Sequence, residues 1–216
     1  MTDFSMEQQK TLANPRLRYG FLATVLFIGM DLFYGKKRTL SKFKVLEVIA
    51  RVPYQAWENV AYVAMTHTFS EPGFARRIFE FVKKSREQQD NEQWHLLILE
   101  ELVQKKGIKE GFLRFRFVPQ LIAFLYYHIS WMLYVIKPEL SYRLNAHFED
   151  HAEHEYMEFV KEVAELKDEA YQGDFKDDYG SFDSLADLFV RIGMDERHHK
   201  EESLESIANP RFGELS

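Results

Sequence analysis

Apolar residues recur at helical spacing along almost the whole of this chain, and that periodicity restricts its fold more than any other feature. Only 10 glycines and 6 prolines occur among the 216 residues, so the periodic segments are long and rarely interrupted. The sequence therefore predicts an all-α fold. Because a chain of this length can bury a sizeable core, we expect one domain over residues 1–216.

Six helical segments are predicted between the breaks in this pattern. They cover approximately residues 18–33, 41–68, 74–106, 110–136, 138–171 and 181–207. Ser41 and Ser181 are suitable N-cap residues, and Gly107 is a suitable residue to follow the end of the third helix. Residues 1–17 are predicted to form a polar N-terminal segment, and residues 172–180 a polar loop.

Two of these segments, at about 18–34 and 110–136, are candidates for contact with a membrane. The apolar run from Tyr19 to Tyr34 is interrupted by Asp31, so it falls short of the roughly 18–20 apolar residues that cross a bilayer. Residues 121–136 are apolar almost all round and include Tyr and Trp, which favour the membrane interface. We expect both helices to lie in the membrane plane; the alternative is that they are core helices.

The composition limits the kinds of site that this chain can carry. The absence of cysteine excludes disulfides, zinc bound by thiolates and iron–sulfur clusters. A net charge of −6, without a dense stripe of lysine and arginine, argues against nucleic acid as a partner. Any metal ion must therefore be held by histidine and carboxylate side chains.

Glutamate and histidine lie three residues apart inside two of the predicted helices, as Glu92 with His95 and as Glu196 with His199. Residues at this spacing share a helix face. Two such pairs, with one glutamate from each of two further helices, form the ligand set of a di-metal site in a helical bundle. Such pairs also arise by chance in a chain rich in glutamate with eight histidines, and exposed ion pairs are the alternative.

The two further glutamates are sought in the second and fifth segments. In the fifth, Glu149 lies two helical turns before Tyr156, with Ala152 between them on the same face. In the second, Glu47 and Glu58 are eleven residues apart and share nearly the same face. Periodicity therefore leaves both glutamates of the second segment open as ligands.

Four stretches of the chain resemble, in order, the ligand motifs of the alternative oxidases, in particular those of the plastid terminal oxidase type. They are LEVIARVPY at residues 46–54, NEQWHLLILEEL at 91–102, EDHAEHEY at 149–156 and DERHH at 195–199. The resemblance implies a four-helix di-iron carboxylate bundle, built from the second, third, fifth and sixth helices. The first and fourth helices would be two additional, membrane-associating helices.

The resemblance also implies the ligands of two iron ions and favours Glu47 over Glu58. These ligands are Glu47, Glu92, His95, Glu149, Glu196 and His199. Carboxylate oxygen and imidazole nitrogen are both suitable ligands for iron. The other histidines are not assigned to metal; they are His67, His128, His147, His151, His154 and His198.

Further roles follow from the same resemblance. Asn91 and Asp195 would orient the ligand histidines through hydrogen bonds, and Tyr156 would take part in catalysis. The implied quinone-binding residues are Lys42, Leu46, Ala152, Glu155 and Tyr156. The family usually has arginine in place of Lys42 and threonine in place of Glu155, so these two departures bear on which quinone is used.

The function implied is a quinol oxidase that oxidises plastoquinol or ubiquinol and reduces O2 to water without pumping protons. The expected protein is a homodimer bound to one leaflet, on the cytoplasmic or stromal side of a plasma or thylakoid membrane. A short loop before the sixth helix and the lack of a transit peptide predict a bacterial, cyanobacterial or phage protein. The alternatives are another di-iron bundle enzyme, such as a quinone-pathway hydroxylase, a ferroxidase or a manganese catalase, and a non-catalytic helical scaffold on a membrane surface.

Overall fold

The computed structural model describes residues 3–68 and 70–212, which contain helices and connecting turns but no β-strand. The α-helices in these ranges are α1 (Phe4–Ala13), α2 (Phe21–Tyr34), α3 (Leu40–Ala50), α4 (Val52–Thr68), α5 (Pro72–Lys105), α6 (Val118–Ile136), α7 (Pro138–Glu162) and α8 (Leu185–Ser206). A π-helical turn precedes α6 and a 3-10 turn follows α7, at Leu113–Phe117 and Ala164–Lys167. The all-α prediction is confirmed. The remaining positions of the domain expected for 1–216 lie outside the described residues.

The central bundle is formed by α7 and α8, which pack together, and by α5 with α3 and α4 against it. Apolar layers lie along the helices on both sides of a polar centre. One layer includes Ile98 of α5, Phe159 of α7 and Phe189 of α8, and the other includes Trp57 of α4 and Tyr142 of α7. The polar residues between these layers are thereby removed from bulk water.

The predicted second helix, 41–68, is in fact two helices separated at Arg51. Pro53 explains the break, since a proline has no N–H to donate and its ring clashes with the carbonyl four residues earlier, at Ile49. In the first turn of α4 the missing N–H costs nothing, because it would have no partner within that helix. The break lets Glu47 and Tyr54, on two different helices, both point into the bundle, where both are buried.

Other boundaries also differ from the prediction. Helix α7 ends at Glu162 rather than near residue 171. Helix α8 begins after Ser184 rather than Ser181, and the Ser184 hydroxyl accepts a hydrogen bond from the Asp187 N–H at 3.1 Å. Both helices are therefore shorter than predicted. The residues between them form turns and an irregular loop.

The N-terminal segment, predicted to be merely polar, contains helix α1. This helix docks on α7 and α8 through Phe4 and Leu12, which pack against the apolar core, and through polar contacts. Thr11 is fully buried, and its hydroxyl donates to Glu153 at 2.5 Å. Arg197 bonds both Thr11 and Glu153, so one arginine links α1 to both helices. The prediction missed α1 because this short helix has few apolar residues that pack against the core, and periodicity detects a continuous apolar stripe.

Helices α2 and α6 flank the bundle, as predicted, and expose apolar side chains. Phe21 and Leu32 of α2 are 80% and 81% exposed, and Phe124 of α6 is 60% exposed. With its preceding turn, α6 forms a helix, Leu113–Ile136, that is long and apolar enough to cross a membrane by length and composition. The sequence analysis did not anticipate this. The buried residues of α6 nevertheless form a stripe along its length against the bundle: Pro119, Ala123, Tyr126, Ser130 and Tyr134.

Candidate metal centre

All six side chains that the resemblance implied as ligands meet in the polar centre of the bundle. Helix α3 supplies Glu47, α5 supplies Glu92 and His95, α7 supplies Glu149, and α8 supplies Glu196 and His199. Every one of them is buried. Their assignment as metal ligands remains a prediction, but the sequence correctly identified six residues that the fold places together.

These side chains form two groups whose ligand atoms lie within 4.8 Å of one another. The first group is Glu47, Glu92, His95 and Glu196, and the second is Glu92, Glu149, Glu196 and His199. Glu92 and Glu196 belong to both groups. Each of these two carboxylates would therefore be shared if one metal ion were held by each group, while Glu47 with His95 belong to the first group alone and Glu149 with His199 to the second.

The two nitrogens of His95 have different surroundings. Its Nδ1 lies 3.1 Å from Glu196 Oε1 and 3.4 Å from Glu47 Oε2. Its Nε2 faces the other way and lies 3.5 Å from Asp195 Oδ2 and 3.2 Å from the Tyr179 hydroxyl oxygen. A proton on Nε2, directed at the Asp195 carboxylate, leaves Nδ1 free to bind metal. The predicted contact between Asp195 and a ligand histidine is thus present, and Asn91 lies 3.5 Å from the same Asp195 oxygen.

Tyr179 is a residue that the sequence analysis missed. It lies in the loop before α8, and its hydroxyl donates to Asp195 at 2.6 Å. Its ring stands edge-on to the His95 ring, at 5.4 Å between centroids. The 172–180 segment was predicted only as a polar loop, and no helical spacing connects a loop residue to a helix face. Tyr179 covers the outer side of His95.

A tyrosine donates a hydrogen bond to a carboxylate at each end of the cluster. The Tyr156 hydroxyl donates to Glu47, and the Tyr54 hydroxyl donates to Glu149 at 2.6 Å. Burial and the nearby carboxylate charges raise the pKa of both tyrosines well above its usual value, so both keep their protons. Tyr54 was not predicted as a site residue, although it stands at the end of the first resembling stretch.

Buried polar atoms without hydrogen-bond partners show what this cluster lacks. They include both oxygens of Glu92 and of Glu196, and Nδ1 of His95 and of His199. Buried polar groups are normally paired, because an unpaired one costs stability. A metal ion in each group of four would satisfy these atoms, and a set of carboxylate and imidazole ligands is suitable for iron or manganese. The residues therefore fit a di-metal centre.

Without metal, the carboxyl groups of the cluster differ in their affinity for protons. Burial raises the pKa of Glu47 to about 8 and that of Glu149 to about 7. Burial, with the charges of Glu92 and Glu47, raises the pKa of Glu196 well above its usual value. Burial acts on Glu92 in the same direction, but the neighbouring imidazoliums of His199 and His95 outweigh it and lower its pKa.

For the metal-free protein we expect the free energy of unfolding to fall as the pH rises from about 6.5 to 8. Up to about pH 7 for Glu149, and up to about pH 8 for Glu47, the folded chain holds a proton that the unfolded chain has already released. His95 and His199 act in the same direction. Burial lowers their pKa values, but Tyr179 and the nearby carboxylates for His95, and the carboxylates for His199, outweigh it and raise them. For each proton that only the folded chain holds, the free energy of unfolding falls by about 1.4 kcal/mol per pH unit. Thermal unfolding of chelator-treated protein measures the effect.

The lower limit of that range is set by His151. Burial lowers the pKa of His151 to about 4, so this group opposes the trend below the usual histidine pKa of roughly 6.5. The metal-loaded protein is the control. Because metal binding requires deprotonated ligands, we expect its advantage over the metal-free protein to grow with pH. A metal-free protein whose unfolding midpoint rises between these pH values contradicts the expectation.

Other carboxylates and histidines lie outside the cluster. Glu58, the alternative to Glu47, forms an ion pair with Arg86 at 2.7 Å on the surface of α4. Asp150, Glu153 and His154 also lie close enough together to hold an ion. Lys200 bonds both carboxylates of this trio, at 3.2 Å to Asp150 and more closely to Glu153, and Arg197 also bonds Glu153 at 2.9 Å. Two cationic side chains therefore balance the two carboxylates.

The implied quinone-binding residues are engaged with other partners. Lys42 Nζ donates to Asp31 Oδ1 at 2.6 Å and to the Gly35 carbonyl at 2.9 Å. Glu155 accepts from Arg16 at 2.8 Å and from Arg38 at 3.0 Å. The other two residues of this set besides Tyr156, on α3 and α7, are buried and apolar; they are Leu46 and Ala152. The polar ends of Lys42 and Glu155 are therefore already committed within the protein.

Comparison with known proteins gives one consistent result. Residues 7–209 match the family described as alternative oxidase. The chain is 34% identical over 145 residues to ubiquinol oxidase 4, chloroplastic/chromoplastic, of Arabidopsis thaliana, covering 67% of this chain and 38% of that protein. It is 26% identical to the mitochondrial ubiquinol oxidase 2 of Arabidopsis thaliana (83% of this chain, 48% of that protein) and 25% identical to that of Glycine max (82% and 50%). The chain spans half the length, or less, of these curated relatives.

Proposed function

This chain belongs to the alternative oxidase family, and on that premise we propose that it is a quinol oxidase with a di-iron centre that reduces O2 to water. The observation that carries the proposal is the buried cluster of four glutamates and two histidines, arranged as two groups that share Glu92 and Glu196. The relatives named above are ubiquinol oxidases. A buried cluster of glutamates and histidines of this kind, within this family, is best explained by a di-iron centre with the same chemistry.

We assign the two iron ions to the two groups of the cluster. When bound, the iron ions would supply the redox chemistry, taking electrons from a quinol and passing them to O2. The protein's own residues hold the geometry: the Asp195 carboxylate fixes the tautomer of His95, and Glu92 and Glu196 face both metal positions. The apolar layers on either side of the cluster exclude water from it.

Tyr156 is the residue that we place closest to the reaction. Its hydroxyl donates to Glu47, and its ring stacks on Phe43 at 4.3 Å between centroids. The stacked ring is held in one orientation, and the hydroxyl keeps its proton beside a carboxylate of the cluster. Tyr156 is thus positioned to hold a proton at its hydroxyl on the Glu47 side of the cluster.

We propose that α2 and α6 rest in one leaflet of a membrane. At 14 residues, α2 is about 21 Å long, which is shorter than the roughly 30 Å hydrocarbon core of a bilayer. The buried stripe along α6 packs that helix against the bundle over its length. If α6 crossed a membrane, the charged bundle beside it would have to enter the hydrocarbon core as well. In this arrangement quinol reaches the protein from the lipid and no protons are pumped. The homodimer implied by the resemblance remains a prediction.

Oxygen uptake by purified, iron-loaded protein in detergent tests the proposed function. We expect uptake with short-chain plastoquinol, ubiquinol or both, and no inhibition by cyanide, since the proposed site contains no haem. The ratio of the two rates ranks the substrates. Bound iron without uptake from either quinol would contradict the oxidase proposal and favour another di-iron enzyme. Absence of bound iron would favour the scaffold alternative.

A further inference from the structure

A polar cleft of about 220 Å³ lies between α5 and α8, next to the candidate metal centre. Every side chain that lines it is polar or charged, in contrast to the apolar layers on both sides of the cluster. Glu87 of α5 and His198 of α8 stand at its outer end, where both are exposed. None of the described residues that line it belongs to α2 or α6, so the cleft opens away from the face that we propose contacts lipid.

The inner end of this cleft is formed by His199, a candidate metal ligand. It is 3% exposed, it lines the cleft, and its Nδ1 lies 2.6 Å from Glu92 Oε1 in the cluster. That nitrogen is buried and has no hydrogen-bond partner. The other candidate ligand histidine, His95, is instead covered on its outer side by Tyr179. The cleft therefore leads from water to one side of the cluster.

Each wall of the cleft carries a pair of potential metal ligands four residues apart. Glu87 and Asn91 share a face of α5. His198 and Glu202 share a face of α8, with His198 Nε2 3.6 Å from Glu202 Oε1. The Oδ1 atom of Asn91 is buried and accepts no hydrogen bond. Carboxylate and amide oxygens and imidazole nitrogen suit iron, so the cleft offers a series of ligands between water and the cluster.

The positive charges in the cleft are already paired with carboxylates. Lys84 Nζ lies 2.9 Å from Glu202 Oε1. An Arg191 nitrogen lies 2.8 Å from Asp195 Oδ1. Both cationic side chains are more than 40% exposed, so neither charge lies deep in the cleft. Three carboxylates, those of Glu87, Asp195 and Glu202, outnumber the two cations, so the cleft attracts a divalent cation.

We propose that this cleft is the route by which Fe²⁺ enters the cluster from water, with Glu87, His198 and Glu202 as transient ligands. This inference rests on the iron assignment of the proposed function and specifies how that site is filled. The apolar layers on both sides of the cluster exclude such an ion, because the transfer of an unpaired charge into an apolar medium is prohibitive. Residues of the cleft can replace the ion's waters in steps, so its charge stays compensated along the whole route.

The rate at which the metal-free protein takes up Fe²⁺ in the absence of oxygen tests this route. The full chain is mixed with Fe²⁺, uptake is stopped at intervals with a ferrous chelator, and bound iron is measured by elemental analysis. For Glu87→Gln combined with His198→Gln we expect uptake to be at least about 10-fold slower, the lower end of the range by which charged clefts speed association. For Lys84→Gln, which releases Glu202 from its ion pair, we expect uptake to be about 3-fold faster.

A route is distinguished from a permanent ligand by its effect on the binding equilibrium. Because entry and release use the same path, each variant should change the rate of iron release to the chelator by the same factor as the rate of uptake. The final iron content should stay at the parental value, and the unfolding midpoint of the metal-free protein should be nearly unchanged. A lower final iron content with a parental uptake rate would make Glu87 or His198 part of the metal site itself and would overturn the inference.

Two matched controls make the same changes of charge outside the cleft. Asp90→Asn removes a carboxylate from an exposed position of α5 that does not line the cleft. Lys83→Gln removes an ammonium group from the residue next to Lys84, which also does not line it. Both controls should take up and release iron at the parental rates. The inference is overturned if the cleft variants behave like these controls.

The inference and the proposed function fail in different ways. If the parent protein takes up iron and oxidises quinol while the cleft variants match the controls, iron enters elsewhere and the oxidase proposal stands. If the cleft variants change uptake and release as expected but no quinol drives oxygen consumption, the cleft is the iron route and the oxidase proposal is wrong. A parent protein that takes up no iron overturns both.

Discussion

Glu196→Gln is expected to lose most of the bound metal and to reduce oxygen uptake to background. Glu196 belongs to both groups of candidate ligands, and an amide cannot bridge two metal ions as a carboxylate does. The substitution keeps the shape of the side chain, so it opens no cavity. It also replaces a buried carboxyl, whose pKa burial raises well above its usual value, with a neutral amide. The metal-free variant should therefore be at least as stable as the metal-free parent.

Metal content by elemental analysis and unfolding midpoints with and without iron measure this result. Glu201→Gln is the matched control, since Glu201 is an exposed glutamate on the same helix. It should retain the metal content and activity of the parent protein. Full metal content in Glu196→Gln would remove Glu196 from the ligand set, and with it the assignment of a shared, bridging carboxylate.

Tyr156→Phe is expected to keep the metal but to lower turnover by about 100-fold or more, the scale on which a positioned proton donor contributes. Tyr156 is fully buried, and its ring packs between Phe43 and Phe189. A phenylalanine fits the same space. Only the hydroxyl that donates to Glu47 is lost.

The expected signature of this variant is a fall in kcat with unchanged iron content, unchanged KM for quinol and a nearly unchanged unfolding midpoint. Tyr142→Phe is its control: Tyr142 is a buried tyrosine of the same helix whose hydroxyl donates to Tyr134 at 3.2 Å. We expect that variant to keep its turnover. If Tyr156→Phe turned over at the parental rate, the tyrosine would have no part in the reaction.

The ligand pairs were predictable because their geometry is local. Glu92 and His95, like Glu196 and His199, share a helix face by virtue of their spacing alone, and the structure places all four in one cluster. The choice between Glu47 and Glu58 was not local. It depends on the break at Arg51, which places the two glutamates on two separate helices, and only the resemblance pointed to the residue that lies in the cluster.

What the sequence did not reveal depends on contacts between distant segments. Tyr179 reaches His95 from a loop, across a separation of 84 residues. Helix α1 is bonded by Arg197, which lies more than 180 residues away in the sequence, so no helical spacing connects the two. The sequence also did not predict that Lys42 and Glu155 form ion pairs, because their partners lie on α2 or in the segments that flank it. Residue type and spacing describe one helix at a time and contain no information about such pairs.

The distribution of the cluster over four helices has a consequence for the protein during its synthesis. Each group of four candidate ligands draws on three helices, and both groups include α8, the last helix of the described chain. No fragment that ends before α8 contains either complete group. The proposed metal centre can therefore assemble only after α8 has been synthesised and has packed into the bundle.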